Sequence, residues 1–340
     1  MKIYAGIDLH SNNSYVVLID ESDNIIYQKR LGNDLAIILK ELKPYQLQVE
    51  GIVVESTYNW YWLVDGLKEA GYRVHLANTV EIKQYTGLKH TNDKTDAIWL
   101  ARLLKLGILK EGYIYPKEQR GLRELLRKRL LLVRQQTMSV LGVQGTINRY
   151  ENCKLTARKL KTSKANEEEI LSYIHDEHVR LAVQGQLKIL QCIVDQLEAL
   201  ERIILKHLQE NVDFKRLKAI PGIGSILAMT ILLETGEINR FKDPGNYSSY
   251  CRCVESKRIS NFKKKGENNR KNGNHYLGWA YIEASNFAVR YSNPIKQYYQ
   301  RKLSKTNRVI ALKTIANKLS KACYFVLRDK VDFDMNKAFV

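Results

Sequence analysis

The sequence predicts an α/β domain with a mixed β-sheet at the N-terminus, followed by a helical segment and a mainly α-helical C-terminal domain. Three strand-like runs open the chain, and helical and strand-like runs then alternate as far as residue 115. Beyond that point, long segments repeat apolar residues at a helical spacing. These two patterns place the predicted boundaries at residues 1–115, 116–212 and 213–330.

The composition favours a polyanionic partner. Lysine and arginine number 55 against 36 acidic residues, so the formal net charge is +19. Nucleic acid is a better match to this charge than an acidic membrane surface, because no long apolar run is present. The five cysteines include no zinc-binding pattern, and no signal peptide opens the chain. We therefore expect a cytoplasmic protein with reduced thiols and no membrane partner.

The N-terminal elements follow a recognisable order. Strand-like runs at 3–8, 15–19 and 24–31 predict three antiparallel strands. Helix and strand patterns then alternate at 34–42, 51–54, 60–70, 72–76 and 79–85. Ordinary doubly wound folds do not begin with three antiparallel strands, so the order predicts a ribonuclease-H-like sheet flanked by helices.

Four acidic residues are candidates for a metal site. Asp8 lies inside the first strand, Glu55 ends a buried strand, and Asp93 and Asp96 share the first turn of a helix capped by Thr91 or Asn92. Asp8 could instead cap the hairpin turn, and the helix dipole alone would explain one of the two helical acids. Together the four residues suit Mg²⁺, with Mn²⁺ as the alternative, and a pair of ions suits phosphodiester chemistry.

The middle of the chain is predicted to be helical. Residues 117–149 carry a basic face for which we favour contact with the nucleic-acid backbone over mere solvation. The residues concerned are Arg120, Arg123, Arg127, Lys128, Arg129 and Arg134. Residues 165–208 contain no proline, and only Gly185 interrupts them. Their apolar stripe predicts a coiled coil, formed either between protomers or within one chain.

Two further stretches suggest phosphate contacts. At 213–234 a helix ends near Pro221, turns at Gly222 and Gly224 and restarts at Ser225, so its free amides could bind a phosphate. The alternative is an ordinary helical hairpin. Residues 247–284 contain a basic loop that could follow a nucleic-acid backbone and that offers hydroxyl groups as nucleophiles. Its basic residues are Lys263, Lys264, Lys265, Arg270 and Lys271.

Three motifs resemble the RuvC-like domain of the DEDD insertion-sequence transposases, the bridge-RNA-guided recombinases of bacterial mobile elements. They are Gly6-Ile-Asp8-Leu-His10, Val-Val-Glu55-Ser and Asp93-x-x-Asp96-Ala97. The resemblance extends over most of the chain and implies a C-terminal transposase domain. It also implies Mg²⁺ held by the four acids, and donor and target DNA recognised through a non-coding RNA of the element. Assembly into a dimer, or a tetramer in the synaptic complex, is implied as well.

The resemblance also points to a serine nucleophile. In these transposases a serine, usually followed by glycine, precedes a Lys-x-Gly-Asn/Asp segment. Counting back from Lys271-Asn-Gly273-Asn274 places Ser260 at that position. Asn261 replaces the usual glycine, and Cys253-Val-Glu255 replaces a common Leu-x-Pro. Ser256 is therefore the alternative nucleophile, and a serine with only a turn-forming role stays open.

Several functional classes compete. A recombinase would use the acids and the serine, whereas a Holliday-junction-resolving endonuclease would use the acids and water. The extra basic helical segment favours the recombinase. A sugar-kinase-like ATPase shares Gly-Ile-Asp8 in its first hairpin, but no later Asp-x-Gly phosphate loop fits. A non-catalytic RNA-binding protein is the most distant alternative.

Overall fold

The computed structural model describes residues 1–82, 92–267 and 272–339. The chain divides into two compact units, Met1–Lys117 and Glu118–Val340. The sequence prediction of an α/β domain followed by a mainly helical region is confirmed. The further boundary near residue 212 stays a prediction.

The first unit is built on a five-stranded mixed sheet in the order β3-β2-β1-β4-β5. Its strands are β1 (Ile3–Leu9), β2 (Asn13–Ile19), β3 (Ile25–Gly32), β4 (Val49–Glu55) and β5 (Val74–Ala77). β1, β2 and β3 pair in antiparallel fashion, whereas β4 is parallel to both β1 and β5. The predicted opening of three antiparallel strands is therefore present.

Helices cover both faces of this sheet. They are α1 (Leu35–Leu42), followed by a short 3₁₀ turn (Lys43–Tyr45), then α2 (Tyr61–Glu69) and α3 (Asp93–Lys105). Alternate residues of β1 and β4 pack with α1 and α2, among them Ile7 and Val54. The other face packs under α3, where Ala97 and Ala101 contact the sheet. The helix predicted at 79–85 is wrong for 79–82, which are not helical and form a turn at 79–81, and its remainder lies outside the described residues.

The second unit begins with two long antiparallel helices. α4 (Lys117–Glu151) and α7 (Glu177–Leu208) flank the short helices α5 (Ala157–Lys161) and α6 (Ser163–Ser172). Gly185, which was expected to interrupt residues 165–208, lies inside α7, and the chain leaves the helical conformation at 173–176 instead. The apolar stripe of α7 packs on α4 of the same chain: Leu187 joins Val143 in one cluster, and Ile204 joins Leu126 in another. This packing lies within one chain, and the coiled coil itself stays a prediction.

The remaining helices form one core. They are α8 (Val212–Lys218), α9 (Ser225–Thr235), α10 (Pro244–Tyr250), α11 (His275–Tyr291), α12 (Asn293–Leu303), α13 (Arg308–Asp329) and α14 (Met335–Phe339), with a 3₁₀ turn at Ile238–Arg240. The hydroxyl groups of the buried Tyr247 and Tyr281 are hydrogen-bonded at 2.8 Å inside this core. A two-stranded hairpin, β6 (Arg258–Ser260) and β7 (Lys263–Gly266), lies between α10 and α11. Within the described ranges, no helix is long and apolar enough to cross a membrane.

Candidate active site

Asp8 lies on the face of the sheet that α3 covers. Side chains alternate along β1, so Ile7 and Leu9 point into the opposite core while Gly6 and Asp8 face α3. A Cβ atom at Gly6 would lie 2.0 Å from the Ala97 carbonyl oxygen, which means that the backbone of α3 rests directly on β1. This close approach, which only glycine permits, brings the first turn of α3 beside Asp8. The Asp8 side chain is only 2% exposed.

Glu55 joins Asp8 from the neighbouring strand. Ile7 on β1 pairs with Val54 on β4, so the two acids occupy equivalent places on adjacent parallel strands. The Glu55 carboxyl group hydrogen-bonds the Asp8 carboxyl group and also feels the charge of Asp96. Burial, followed by these two interactions, raises the pKa of Glu55 to about 8.

The two acids of α3 occupy its first turn, as predicted. Asn92 is the N-cap: its side chain accepts a hydrogen bond from the Thr95 amide, and the Thr95 hydroxyl accepts one from the Asn92 amide. Thr91, the other predicted cap, lies outside the described residues. Asp93 Oδ2 accepts a hydrogen bond from the Arg30 guanidinium of β3. The structure therefore assembles all four predicted acids at one edge of the sheet.

His10 is a member of the cluster to which sequence reasoning assigned no role. Its Nε2 atom lies 3.2 Å from Asp8 Oδ2 and 3.3 Å from Asp93 Oδ1. Its carbonyl oxygen accepts hydrogen bonds from the side-chain amides of Asn33 at 2.9 Å and Asn59 at 3.0 Å. The period-two spacing from Asp8 to His10 was the available signal, because residues two apart on a strand share a face.

The cluster suits a hard divalent cation. Ligand atoms of Asp8, His10 and Asp93 all lie within 4.8 Å of one another. Asp8 Oδ2 is buried, and within the described part of the chain it accepts no well-aligned hydrogen bond, His10 Nε2 being in ion-pair contact at 3.2 Å. A cation would stabilise this oxygen and would offset the crowding of negative charge around Glu55. Carboxylate oxygens are the ligands that Mg²⁺ and Mn²⁺ prefer.

Ser260 lies in the second unit, at the turn of the β6–β7 hairpin. Ser260 ends β6 and Lys263 begins β7, so Asn261 and Phe262 form a two-residue turn. Both turn residues have positive φ angles, 48° and 57°, as a type I′ hairpin turn requires. Asparagine tolerates this conformation better than most residues, which explains how Asn261 replaces glycine. Ser260 is exposed, whereas the alternative Ser256 is half-buried.

The basic residues of α4 have diverse surroundings. Arg120 is buried, Arg127 pairs with Glu234, and Arg129 pairs with Glu201. Arg123 is half-buried, while Lys128 and Arg134 are exposed. Helical spacing could not predict the two arginine–glutamate pairs, because their acids lie more than seventy residues along the chain.

The basic loop is only partly described. Lys263, Lys264 and Lys265 all lie exposed on β7, and Lys264 Nζ is 2.8 Å from Glu255 Oε1. Arg270 and Lys271 lie outside the described residues. The exposed lysines therefore form one edge of the hairpin that carries Ser260.

The two glycines between α8 and α9 have different roles. Gly222 has a φ angle of +86°, and a Cβ atom there would lie 2.3 Å from the Ala284 carbonyl oxygen. Gly222 is therefore required for packing on α11, a reason that the phosphate interpretation did not include. Gly224 has open space around it and caps α9. Of the two, Gly224 is the better placed to present a free amide to a ligand.

Two models of known protein families match separate parts of this chain. A family model described as "Transposase", for the DEDD transposases of the IS110 type, matches residues 5–150, and the "Transposase IS116/IS110/IS902 family" model matches residues 214–300. The chain belongs to the IS110-type DEDD transposases. The first match contains Asp8, Glu55, Asp93 and Asp96, and the second contains Ser260.

Two curated relatives support the same family. The transposase is 24% identical over 293 residues to a "Probable family 20 transposase" of Pseudomonas aeruginosa, an alignment that covers 84% of this chain and 83% of the relative. It is 23% identical over 269 residues to the "Transposase for insertion sequence element IS1111A" of Coxiella burnetii, covering 76% and 70% of the two chains. The chain is therefore a DNA transposase.

Proposed function

We propose that this transposase cuts and rejoins DNA strands with two chemical groups. The first is a divalent cation, Mg²⁺ or Mn²⁺, held by Asp8, Glu55, Asp93 and Asp96, with His10 at the edge of the cluster. The second is the hydroxyl group of Ser260. The convergence of the acids around the buried Asp8 Oδ2 is the observation that supports the metal site most directly.

The serine would make the reaction reversible without ATP. Ser260 Oγ forms a bond to the phosphorus of a DNA phosphodiester, and the bond from that phosphorus to one DNA oxygen breaks. The proton that Ser260 loses goes to the departing oxygen, which leaves as a hydroxyl group. A hydroxyl from another strand then attacks the same phosphorus, the bond from phosphorus to Ser260 Oγ breaks, and Oγ takes up the proton of the attacking hydroxyl. One phosphodiester bond is exchanged for another in each step, so the bond energy is retained for rejoining. When bound, the cation would neutralise phosphate charge during these steps.

Nucleic-acid binding would come from distributed positive charge. The net charge of +19, the exposed Lys128 and Arg134 of α4 and the lysines of β7 support this part of the proposal. The resemblance to bridge-RNA-guided recombinases adds a non-coding RNA of the element as the guide to donor and target DNA. Recombination should then stop after ribonuclease treatment.

The decisive experiment is detection of a covalent protein–DNA adduct. The full chain is incubated with Mg²⁺, duplex DNA carrying the element ends and RNA transcribed from the non-coding part of the element, and the products are separated under denaturing conditions. The native protein and Ser256→Ala should form the adduct, whereas Ser260→Ala should not. Strand cleavage by Ser260→Ala without an adduct would instead favour a resolvase-like enzyme that uses water.

We also propose that the active form is a homo-oligomer, a dimer or larger, in which the serine of one protomer acts with the acids of another. Mixing two inactive variants, Ser260→Ala and Asp8→Asn, tests this. Some mixed dimers would contain one intact pair of groups, so partial cleavage should return. Verified mixed dimers that stay inactive would contradict the shared arrangement.

A further inference from the structure

The loop that carries Ser260 is closed at its base. It leaves α10 after Tyr250 and returns at Asn274, whose amide donates a 2.6 Å hydrogen bond to the Tyr250 carbonyl oxygen. Arg252 Nε donates to the carbonyl oxygens of Asn272 at 3.1 Å and Gly273 at 3.2 Å. Gly273 has a φ angle of +83°, and a Cβ atom there would lie 2.5 Å from the Tyr250 carbonyl oxygen. The two ends of the loop are thus fixed against each other.

The hairpin at the other end of the loop lies at the surface of the unit. Every residue of β6 and β7 is exposed, so the hairpin is not packed into the core of the unit. The place of Ser260 is consequently determined by where the base of the loop is attached.

A buried carboxylate attaches this base to two helices. Glu234 of α9 is 1% exposed, and its Oε2 atom accepts a 2.7 Å hydrogen bond from Asn274 Nδ2. Arg127 of α4 donates to both oxygens of Glu234, from Nε at 2.6 Å and from Nη2 at 2.8 Å. The Arg127 guanidinium also lies 4.6 Å from the centre of the Tyr276 ring, at the start of α11. Glu234 therefore joins α4, α9 and the end of the serine loop.

Asn274 is fixed through both ends of its amide group. Its Oδ1 atom caps α11 by accepting hydrogen bonds from the amides of Tyr276 at 2.9 Å and Leu277 at 3.2 Å. Its Nδ2 group is the donor to Glu234. Rotation of the Asn274 side chain would break the cap and the link to Glu234 together, so the loop end has one preferred placement.

A buried ion pair is a poor source of stability, because the desolvation of both charges offsets much of their attraction. The apolar cluster around α9 and α11 already stabilises this region. What the pair of Glu234 and Arg127 adds is a directional attachment, since a bidentate guanidinium–carboxylate contact fixes both distance and orientation.

We propose that Glu234 is a positioning residue for Ser260: by holding Asn274 against Arg127, it sets the place at which the serine loop leaves the helical core. This inference rests on the proposed function, because it takes Ser260 as the nucleophile. Glu234 itself touches neither DNA nor the cation in this role.

The principal variant is Glu234→Gln, which keeps the shape of the side chain but removes its charge and one of its acceptor oxygens. We expect the rate constant of adduct formation at saturating DNA to fall by about 100-fold, the scale expected for a misplaced reacting group. The DNA concentration at half-saturation should stay within about threefold, because the distributed positive charge is almost unchanged. In a single turnover, loss of folded protein lowers the amplitude, whereas misplacement of the serine lowers the rate constant.

A second variant keeps the proposal testable if Glu234→Gln fails to fold. Asn274→Ser retains an oxygen suited to capping α11 but loses the donor to Glu234. It should lower the same rate constant in the same direction. A normal rate constant in Asn274→Ser would overturn the proposal.

The matched control is Glu201→Gln. Glu201 Oε1 lies 2.6 Å from Arg129 Nε, so this change also breaks an ion pair of α4, but one that has no bond to the serine loop. Its rate constant should stay within about threefold of the native value. If Glu234→Gln is no slower than this control, the positioning role is wrong.

Ser260→Ala, measured in parallel, distinguishes failure of the positioning role of Glu234 from failure of Ser260 as the nucleophile. If Ser260→Ala loses the adduct while Glu234→Gln and Asn274→Ser keep native rate constants, only the role of Glu234 is overturned. An adduct that persists in Ser260→Ala would overturn the proposed nucleophile and, with it, this inference.

Discussion

The carboxylate cluster of the first unit and the serine hairpin of the second are built in opposite ways. Asp8, Glu55, Asp93 and Asp96 lie on two adjacent strands and a helix that packs directly on them. Ser260 lies on a short hairpin whose residues are all exposed. Elements of the core position the cluster, whereas the described residues of the hairpin lie at the surface and the base of its loop is hydrogen-bonded to the helices.

This difference suits the two proposed tasks. Several like charges remain close together only if rigid elements hold them and a cation offsets their repulsion. A nucleophile that attacks one strand and releases it to another must reach beyond the surface of its own unit. Substitutions in the carboxylate cluster and in the serine hairpin test the two tasks separately.

The largest effect should come from Asp8→Asn, which removes a charge from the centre of the cluster. The loss of cation binding would remove several kcal/mol of transition-state stabilisation, so cleavage should fall by about 1000-fold or more. DNA binding should change little, and the measurements are strand cleavage and equilibrium DNA binding under the same conditions. Glu50→Gln, on the same strand as Glu55 but outside the cluster, is the control and should be nearly native. Equal loss of binding and cleavage in folded Asp8→Asn would argue against a metal site.

Gly6→Ala should disrupt the same site without changing its charge. The added Cβ atom would meet the Ala97 carbonyl oxygen, so α3 must move away from β1. We expect a loss of about 3 kcal/mol in the free energy of unfolding of the first unit, together with slower cleavage. Urea denaturation measures the first effect. Gly32→Ala is the matched control in the same sheet, because a Cβ atom at Gly32 meets nothing within 4 Å. Similar losses in both variants would contradict the proposed close approach.

Features that depend on neighbouring residues could be predicted from the sequence, whereas contacts between distant parts of the chain could not. The alternation within β1 and β4 and the capping signals of α3 are local patterns, and they predicted where the four acids lie on these two strands and this helix. His10 was quoted in a motif but missed as a neighbour of Asp93, because its place depends on how α3 docks. Arg127 was assigned to the nucleic-acid surface, yet its bond to Glu234 spans 107 residues of sequence and could not be anticipated from helical spacing.

The hairpin offers a finer test through Asn261. Its φ angle of 48° is accessible to glycine and asparagine but strained by one to a few kcal/mol for a β-branched residue. Asn261→Val should therefore slow adduct formation by about tenfold, whereas Asn261→Gly should keep or slightly raise the rate. Single-turnover measurements of both variants provide the comparison. A native rate in Asn261→Val would mean that the turn does not determine the position of Ser260.

The smallest effects should come from single lysines of β7, and they distinguish its two faces. Lys264 is paired with Glu255, whereas Lys263, the preceding residue of the strand, points to the other side because side chains alternate. If that side follows the DNA or RNA backbone, Lys263→Gln should reduce the slope of log K against log salt by about 0.9, the value for one lost phosphate contact. Lys264→Gln should change the slope less, since Lys264 must first leave Glu255.

Lys29→Gln, which removes an exposed lysine paired with Glu41 in the first unit, serves as the control and should leave the slope unchanged. A slope that falls equally for Lys29→Gln and Lys263→Gln would mean that binding depends on total charge rather than on the serine hairpin, and the proposed contact at β7 would be wrong.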